Sequence, residues 1–412
     1  MLSKTKEQIA LGVLIPTRNR EEYLVHSIES ALKFRLACPF GVKIFIANNG
    51  DEQLSQSLTE ALERDGITLI ERPLAPISMS QNWHRGYQCV KEEIVTHLLI
   101  MGDDDLLLNP DYRPFTKAFL DGYDAVICNR SARRYLWETP DSPARIQFTR
   151  ENSKQMVNRM RSNPEDLFIS PSLYAHSPSP YQGFVSMEWL GKVVQEFGVL
   201  SPARSPDVFL SFALASMTQF SSVSLRRPFL ADGQSPKSNG ASMLGFSKNT
   251  QPAQDFGRLS ASEISETTTL PGLESFPSLF VATTEVYDWV KLKRPNLRDL
   301  DLGAVVHGMA LDLRKASSSD AEKLRGFAAA IGRPFAAAEQ NDDTSEPPSF
   351  ELRRKRFTAE ARELTPAQVC TIMSSSSALM KYLWSTRSAF ARSFPANMRK
   401  LAGRARVKAK RS

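Results

Sequence analysis

The chain has 412 residues and a formal net charge of +7, and 42% of its residues are hydrophobic while 24% are charged. These values are typical of a soluble globular protein with two domains or one large domain. No apolar run approaches the ~18 residues that a membrane-spanning helix needs, and the polar start of the chain lacks the apolar stretch of a secretory signal. The four cysteines form no CxxC pair, which argues against a zinc knuckle or a disulfide framework and predicts a cytoplasmic protein.

Short apolar runs and helical patterns alternate over the first 130 residues. The runs have the length of strands buried on both faces of a parallel sheet, and they are Leu11–Ile15, Val42–Ala47, Gly66–Ile70, Val95–Met101 and Ala125–Cys128. The segments after Asn19 and Gly50 each have one mostly apolar face, and Ser78–Glu93 fits a third helix. This repetition predicts an α/β fold with a doubly wound, mostly parallel sheet.

The rest of the chain indicates loops and helices. Prolines and serines cluster between Ser170 and Pro180, and we expect helices over Met187–Phe197, Asp207–Ser216, Phe276–Val290 and within Gly303–Ile331. We therefore predict one domain over 1–245, divided into one half over 1–130 and another over 131–245. A helical extension over 246–340, a linker over 341–350 and a helical region with a basic tail over 351–412 would follow.

The positive charge is concentrated at the C-terminus. Ten basic residues and no acidic ones lie between Lys381 and the end, so the rest of the chain carries a net charge of −3. Such a charge block contacts a polyanion or an anionic lipid surface, or is simply solvated. Residues 379–411 are also amphipathic, which leaves two interpretations open: peripheral contact with the inner face of the cell membrane, or a solvated end.

Three polar clusters follow apolar strands directly. They are Pro16–Arg20, Asn48–Asp51 and Gly102–Asp105. Ligands of open parallel sheets bind at the carboxyl edge of the strands, where these clusters would meet. Adjacent carboxylates such as Asp103, Asp104 and Asp105 repel one another unless a cation lies among them, and hard oxygen ligands suit Mg²⁺ or Mn²⁺. The alternative is a solvated acidic turn or a helix N-cap.

These motifs resemble, in order, those of the inverting family 2 glycosyltransferases, which have the GT-A fold. The resemblance covers about residues 10–245, and the segments that carry it are Leu14–Arg20, Ile46–Asp51, Asn82–Gly86, Gly102–Asp105, Ser205–Phe209 and Gly233–Ser242. It implies a transfer of sugar from a nucleotide-sugar donor to a saccharide or lipid-linked acceptor, in polysaccharide or glycolipid assembly. On this resemblance, 1–130 would be the nucleotide-binding half and 131–245 the acceptor half. No specific contact with nucleic acid is implied.

The resemblance also implies a role for each matching residue. Donor-binding residues would be Pro16, Thr17, Arg20, Asn48, Asn82, Asp103 and Asp104. A divalent metal would be bound by Asp105 and Asp103, with Asp104 as the alternative ligand. Asn48 stands where the family usually has Asp beside uracil, and because Asn both donates and accepts, the expectation of UDP over another nucleotide is left open.

An inverting transfer needs a cation to neutralise the leaving diphosphate and one carboxylate to take the proton of the acceptor hydroxyl. The resemblance implies that Asp207 is this general base. Pro206-Asp207 before an apolar run is also a good helix start, and both interpretations can hold together. Two other functions remain open: a GT-A fold that has lost activity, and a polyanion-binding or membrane-binding protein that acts through its basic tail.

Overall fold

The computed structural model describes most of the chain up to residue 332 and short pieces beyond it. The described residues are 5–129, 132–139, 143–150, 174, 177–217, 219–237, 251–265, 268–274, 276, 278–310, 312, 318–332, 355–360, 368–369 and 373–374. The predicted linker over 341–350 and the basic tail over 379–411 lie outside the described residues. Within these ranges no helix combines the length and apolar character needed to cross a membrane.

Strands and helices alternate along the described chain. The strands are β1 (Ala10–Thr17), β2 (Gly41–Asn48), β3 (Thr68–Ile70), β4 (His97–Ile100), β5 (Leu106–Leu107), β6 (Ala125–Cys128), β7 (Arg133–Leu136), β8 (Arg145–Arg150), β9 (Gly183–Ser186), β10 (Ser222–Leu225), β11 (Leu230–Gln234) and β12 (Lys355–Glu360). The helices are α1 (Glu21–Ala37), α2 (Gln56–Arg64), α3 (Met79–Lys91), α4 (Tyr112–Leu120), α5 (Met187–Phe197), α6 (Pro206–Ala215), α7 (Gln251–Leu259), α8 (Leu279–Lys293), α9 (Leu302–Ala310) and α10 (Ser318–Ala330).

A large sheet in the order β10-β6-β9-β4-β1-β2-β3 forms the centre of the described structure. β9 runs antiparallel to its neighbours β4 and β6, and the other pairs are parallel. All five predicted apolar runs lie in this sheet, which confirms the mostly parallel α/β fold. Because β1, β2, β4, β6 and β10 share one direction, their carboxyl ends meet at the same sheet edge.

Apolar residues cover both faces of the large sheet, as a doubly wound fold requires. Leu14 of β1 packs in one core with Trp83 of α3 and Phe209 of α6. Its neighbours Val13 and Ile15 face the second core, where α1 and α4 pack. Each fully buried apolar side chain of this kind contributes about 1.5–3 kcal/mol, so the sheet that carries the site is a stable support.

The helix ends have local causes in the sequence. Glu21 and Glu22 lie in the first turn of α1, where acidic side chains interact favourably with the helix dipole. A capping box starts α3, in which Ser78 accepts a bond from the Gln81 amide and the Gln81 side chain accepts one from Ser78. Gly198 ends α5 with φ of 81°, a left-handed conformation that favours glycine.

A smaller sheet in the order β12-β8-β7-β11-β5 adjoins the carboxyl edge of the large one. Its last strand, β12, pairs antiparallel with β8. The prediction of a helical region over 351–412 is therefore wrong for Lys355–Glu360, because pairing with a distant strand overrides local propensity. The helical extension is confirmed by α7 to α10, although the pattern over Gly303–Ile331 divides into two helices.

Candidate active site

The three predicted clusters meet at the carboxyl edge of the large sheet. Thr17 ends β1 and pairs in register with Asn48, which ends β2. β4 lies on the other side of β1, and Asp103 follows it. The Thr17 hydroxyl donates a 2.7 Å bond to Oδ2 of Asp103 across 86 residues of sequence.

Arg20 is the cation among the three aspartates. Its Nη2 lies 2.7 Å from Oδ1 of Asp103, and its Nη1 lies 4.0 Å from Oδ2 of Asp104. Burial opposes the charge of Arg20, but Asp103, Asp104 and Asp105 together raise its pKa above the ordinary arginine value. We call Asp103, Asp104 and Asp105 the carboxylate triplet; with Arg20 it contains two negative charges in excess when all groups are ionised.

Asp103 is the most deeply buried member of the triplet, with no exposed surface. Burial raises its pKa to about 6, and the nearby charge of Asp104 acts in the same direction. Arg20 and the Thr17 hydroxyl oppose this shift. Because the pKa is raised on folding, Asp103 favours the folded state at low pH and loses that contribution as the pH rises through about 6.

Asp105 and Asp104 differ in how the protein uses their oxygens. Asp105 accepts backbone N–H bonds on both oxygens, from Gly102 and from Gly233, each at 2.8 Å. Asp104 accepts the Ser235 N–H on Oδ2 at 3.2 Å, and its Oδ1 accepts no bond from the residues that the structure describes. Asp105 therefore holds its own turn against β11, whereas Asp104 keeps one oxygen for a ligand.

The backbone of the triplet is also held closely. The Ser27 hydroxyl lies 2.7 Å from the carbonyl oxygen of Asp103 and 2.6 Å from that of Asp105. A Cβ at Gly233 would lie 1.7 Å from the carbonyl oxygen of Asp104, so no larger residue fits there. The sequence signal for this contact is Gly233 itself, which opens the Gly/Ser-rich segment, but its partner could not be inferred from spacing.

Asn48 and Asn82 lie together behind the rim, and both are buried. Asn48 accepts the Gly50 N–H on Oδ1 at 2.8 Å. Asn82 donates to the Ala47 carbonyl at 3.1 Å and accepts from Arg85 at 2.8 Å. Their predicted contacts with the donor remain a prediction; the bonds within the protein show that both amides also organise the end of β2, next to the half-buried Pro16.

Asp207 is the second residue of α6 and is half-buried. The Tyr174 hydroxyl donates to its Oδ2 at 2.6 Å, and Ser179 donates to its backbone carbonyl at 3.3 Å. Two residues after Ser179 lies Tyr181, whose ring centroid is 5.7 Å from that of Trp83. Residue 174 and residues 177–182 thus lie between Asp207 and Trp83 of α3.

Two other polar residues of the motif segments have structural partners. Arg18 forms ion pairs with Asp51 at 3.5 Å and with Asp255 of α7 at 3.2 Å. Nδ1 of His84 accepts a hydrogen bond from the Leu200 N–H at 3.1 Å, so this side chain links α3 to the segment that follows α5.

The residues of the rim fit a hard divalent cation in their donor chemistry. Among the described residues no three Asp, Glu, His or Cys side chains are arranged to hold one ion. Mg²⁺ does not require such a cage, because it is commonly bound by one or two carboxylates and completed by phosphate oxygens and water. Asp104 has an oxygen without a described donor and suits that mode of binding, whereas Thr17 and Arg20 already contact the two oxygens of its neighbour Asp103.

Comparison with known proteins agrees with the family seen in the motifs. The model of the family described as Glycosyl transferase family 2 matches residues 12–177. The matched residues lie within the range over which the motifs resemble that family, and they contain the first four of the segments that carry the resemblance. No curated protein matches the sequence.

Solved structures of TarS from S. aureus are similar to this chain. One TarS structure is 14% identical with a TM-score of 0.39, and the match covers 77% of this chain and 54% of that one. The chain thus spans about half the length of that protein. TarS residues 1–349 give 13% identity and a TM-score of 0.40, over 79% of this chain and 93% of that one. The same piece in complex with UDP-GlcNAc gives 12% identity and a TM-score of 0.38 over the same shares.

Proposed function

We propose that this protein transfers a sugar from a nucleotide-diphosphate sugar to an acceptor hydroxyl with inversion. A UDP-sugar is the first candidate for the donor. The observation that carries the proposal is the charge imbalance at the rim. Three buried carboxylates face one arginine, and a divalent cation would balance the two negative charges in excess. A nucleoside diphosphate is a ligand that binds at such a sheet edge and whose negative charge a divalent cation neutralises.

Asp104, with Asp103 beside it, is our candidate to hold Mg²⁺ or Mn²⁺. Such a cation would neutralise the charge that develops on the diphosphate leaving group. Asp105 was expected as a ligand with Asp103; since both of its oxygens accept backbone bonds, we propose instead that it holds the turn in place. Thr17 and Arg20 orient Asp103, and the Asn48 amide would select the base.

Asp207 is the proposed general base. It has the chemistry to accept the proton of the acceptor hydroxyl, and the Tyr174 hydroxyl fixes its Oδ2. A single base of this kind contributes about 10²–10⁴-fold to the rate. No second carboxylate is needed, because an inverting transfer forms no covalent intermediate.

Donor binding can be measured without knowing the acceptor. We expect UDP-sugars to raise the melting temperature with Mg²⁺ or Mn²⁺ present, and much less with EDTA, since ligand at a hundred times its Kd adds about 2.7 kcal/mol. CDP-sugars and GDP-sugars in the same panel test the choice made by Asn48. The donor assignment fails if no nucleotide or nucleotide-sugar shifts the melting temperature in the presence of either metal.

The general base requires a turnover assay. Asp207→Asn should retain donor-dependent stabilisation and lose about 10²-fold or more of sugar transfer or donor hydrolysis. Asp121→Asn is the matched control, because Asp121 lies at the end of α4 in an exposed pair with Lys117. Equal activity of the two variants would remove Asp207 from the mechanism.

A protein that binds donor without turnover in any assay would instead be a GT-A fold without activity. The polyanion-binding alternative depends on residues 379–411, and it predicts binding that falls steeply with salt and survives Asp104→Asn.

A further inference from the structure

Arg133, the first residue of β7, is a buried arginine in the acceptor half. It is only 4% exposed, and its guanidinium carbon lies 4.0 Å from the ring centroid of Phe148, its partner in register on β8. One Nη donates to the Ala132 carbonyl at 3.1 Å, while its buried Nε has no hydrogen-bond partner. A cation this well buried is normally paired with an acid.

The charged group with the largest effect on the pKa of Arg133 is a second arginine. Burial lowers the pKa of Arg133 to about 10, and Arg227 is the next contributor in the same direction. No carboxylate among the described residues pairs with Arg133. The next residue in the strand, Arg134, shows the usual arrangement, because its Nε lies 3.1 Å from Oδ2 of Asp232. Arg133 and Arg227 thus concentrate positive charge that the described part of the protein leaves unbalanced.

The two arginines lie at the same sheet edge as the carboxylate triplet. Arg227 follows β10 and is exposed, and β10 runs parallel with β6. From Arg133 the chain leads along β7 to Trp137, whose indole donates to the Asp104 carbonyl at 3.0 Å. Four strand residues span about 13 Å, so the arginines are separate from the donor rim but within the length of a small ligand.

We propose that Arg133 and Arg227 form a binding site for an oxyanion of the phosphate type, separate from the donor site. The Arg133 guanidinium lies over the Phe148 ring and has a buried N–H without a partner, and arginine forks match phosphate geometry. Exposed Arg227 leaves a route for the ligand. This position suits a phosphate group that is part of the acceptor. That assignment rests on the proposed function, whereas the binding of an oxyanion does not.

The test is calorimetric titration of the full chain with inorganic phosphate and, separately, with dimethyl phosphate, without divalent metal or nucleotide. We expect saturable binding that Arg133→Met and Arg227→Ala each weaken about tenfold or more, as loss of a charge-assisted bond predicts. Arg226→Ala is the matched control, because Arg226 is equally exposed and carries the same charge one residue away. It should change the Kd less than twofold.

The two ligands distinguish the kinds of phosphate that the site could bind. Binding of dimethyl phosphate assigns the site to a phosphodiester, and binding of inorganic phosphate alone assigns it to a terminal or unbound phosphate. The site is disproved if neither binds, if Arg133→Met binds like the parent, or if Arg226→Ala is as damaging as Arg227→Ala. Without ligand, Arg133→Met should melt no lower than the parent, since an unpaired buried charge has been removed. A purely structural arginine predicts a lower melting temperature.

Discussion

Two buried charged regions of this molecule differ in how far the charges within them balance. In the carboxylate triplet, three aspartates share one arginine. We call Arg204, Glu263 and Glu285 the extension cluster. In it, Arg204 forms a bidentate ion pair with Glu285. The remaining carboxyl, Glu263, accepts a bond from Ser78, and burial raises its pKa to about 7.

The difference separates a ligand site from a structural one. Glu263 can become neutral near pH 7, so the extension cluster reaches charge balance with its own protons. The triplet has two carboxylates in excess and lies at the open edge of the sheet, where a cation from solution can enter. The position and the imbalance together, more than the number of acids, therefore mark the functional region.

Removal of the arginine from each region should have the largest effect. Arg20→Met and Arg204→Met both leave buried carboxylates without their cation, and each should lower the free energy of unfolding by about 3–5 kcal/mol. In urea unfolding, millimolar Mg²⁺ should restore part of the loss in Arg20→Met and none in Arg204→Met. Equal restoration, or none in either, would contradict the distinction between the two regions.

The second-largest effect on stability is expected at the contact between Gly233 and Asp104. A methyl group at Gly233 meets the Asp104 carbonyl, so Gly233→Ala should destabilise by about 3 kcal/mol and disturb metal-dependent donor binding. Gly326→Ala in α10 is the control, since no atom lies within 4 Å of its Cβ and alanine favours a helix. Thermal unfolding with and without donor measures both effects, and a Gly233→Ala protein of parental stability would exclude the close packing.

Local pattern was enough for the five strands β1 to β4 and β6, and for the arrival of Thr17, Asn48 and Asp103 at one edge. It also gave α5 with the bounds that the structure has. It could not give the division of labour within the triplet, because the bonds to Asp105 come from Gly233 and its backbone 128 residues away. The same holds for β12 and for Arg133, whose burial depends on Phe148 and not on any neighbour in sequence.

Glu263 gives the extension cluster a pH dependence that can be predicted in sign. Its pKa rises on folding from 4.5 to about 7, so its contribution is complete below about pH 4.5 and is lost as the pH rises through 7. Glu263→Gln should therefore be more stable than the parent at pH 8, by about 2 kcal/mol, and similar at pH 4.5. The difference between the two pH profiles isolates Glu263 from Asp103, which titrates in both proteins.

A matched exposed substitution is Glu188→Gln, since Glu188 lies on the surface of α5 in a pair with Lys192. Its pH profile should follow that of the parent within about 0.5 kcal/mol. Parallel profiles of Glu263→Gln and the parent would show that Glu263 is ionised in the fold at neutral pH, and the extension cluster would then carry unbalanced charge as the triplet does.

The smallest effect concerns orientation and not charge. On the proposed mechanism, Tyr174→Phe removes the 2.6 Å bond to Asp207 and keeps the ring, so kcat should fall about tenfold with little change in the KM for donor. Ser211→Ala is the control, because the Ser211 hydroxyl donates to the backbone carbonyl of Asp207 at 2.7 Å and leaves the carboxylate alone. If both variants lose the same rate, the effect comes from the start of α6 as a whole; if only Tyr174→Phe does, the carboxylate of Asp207 has to be held in one direction to work.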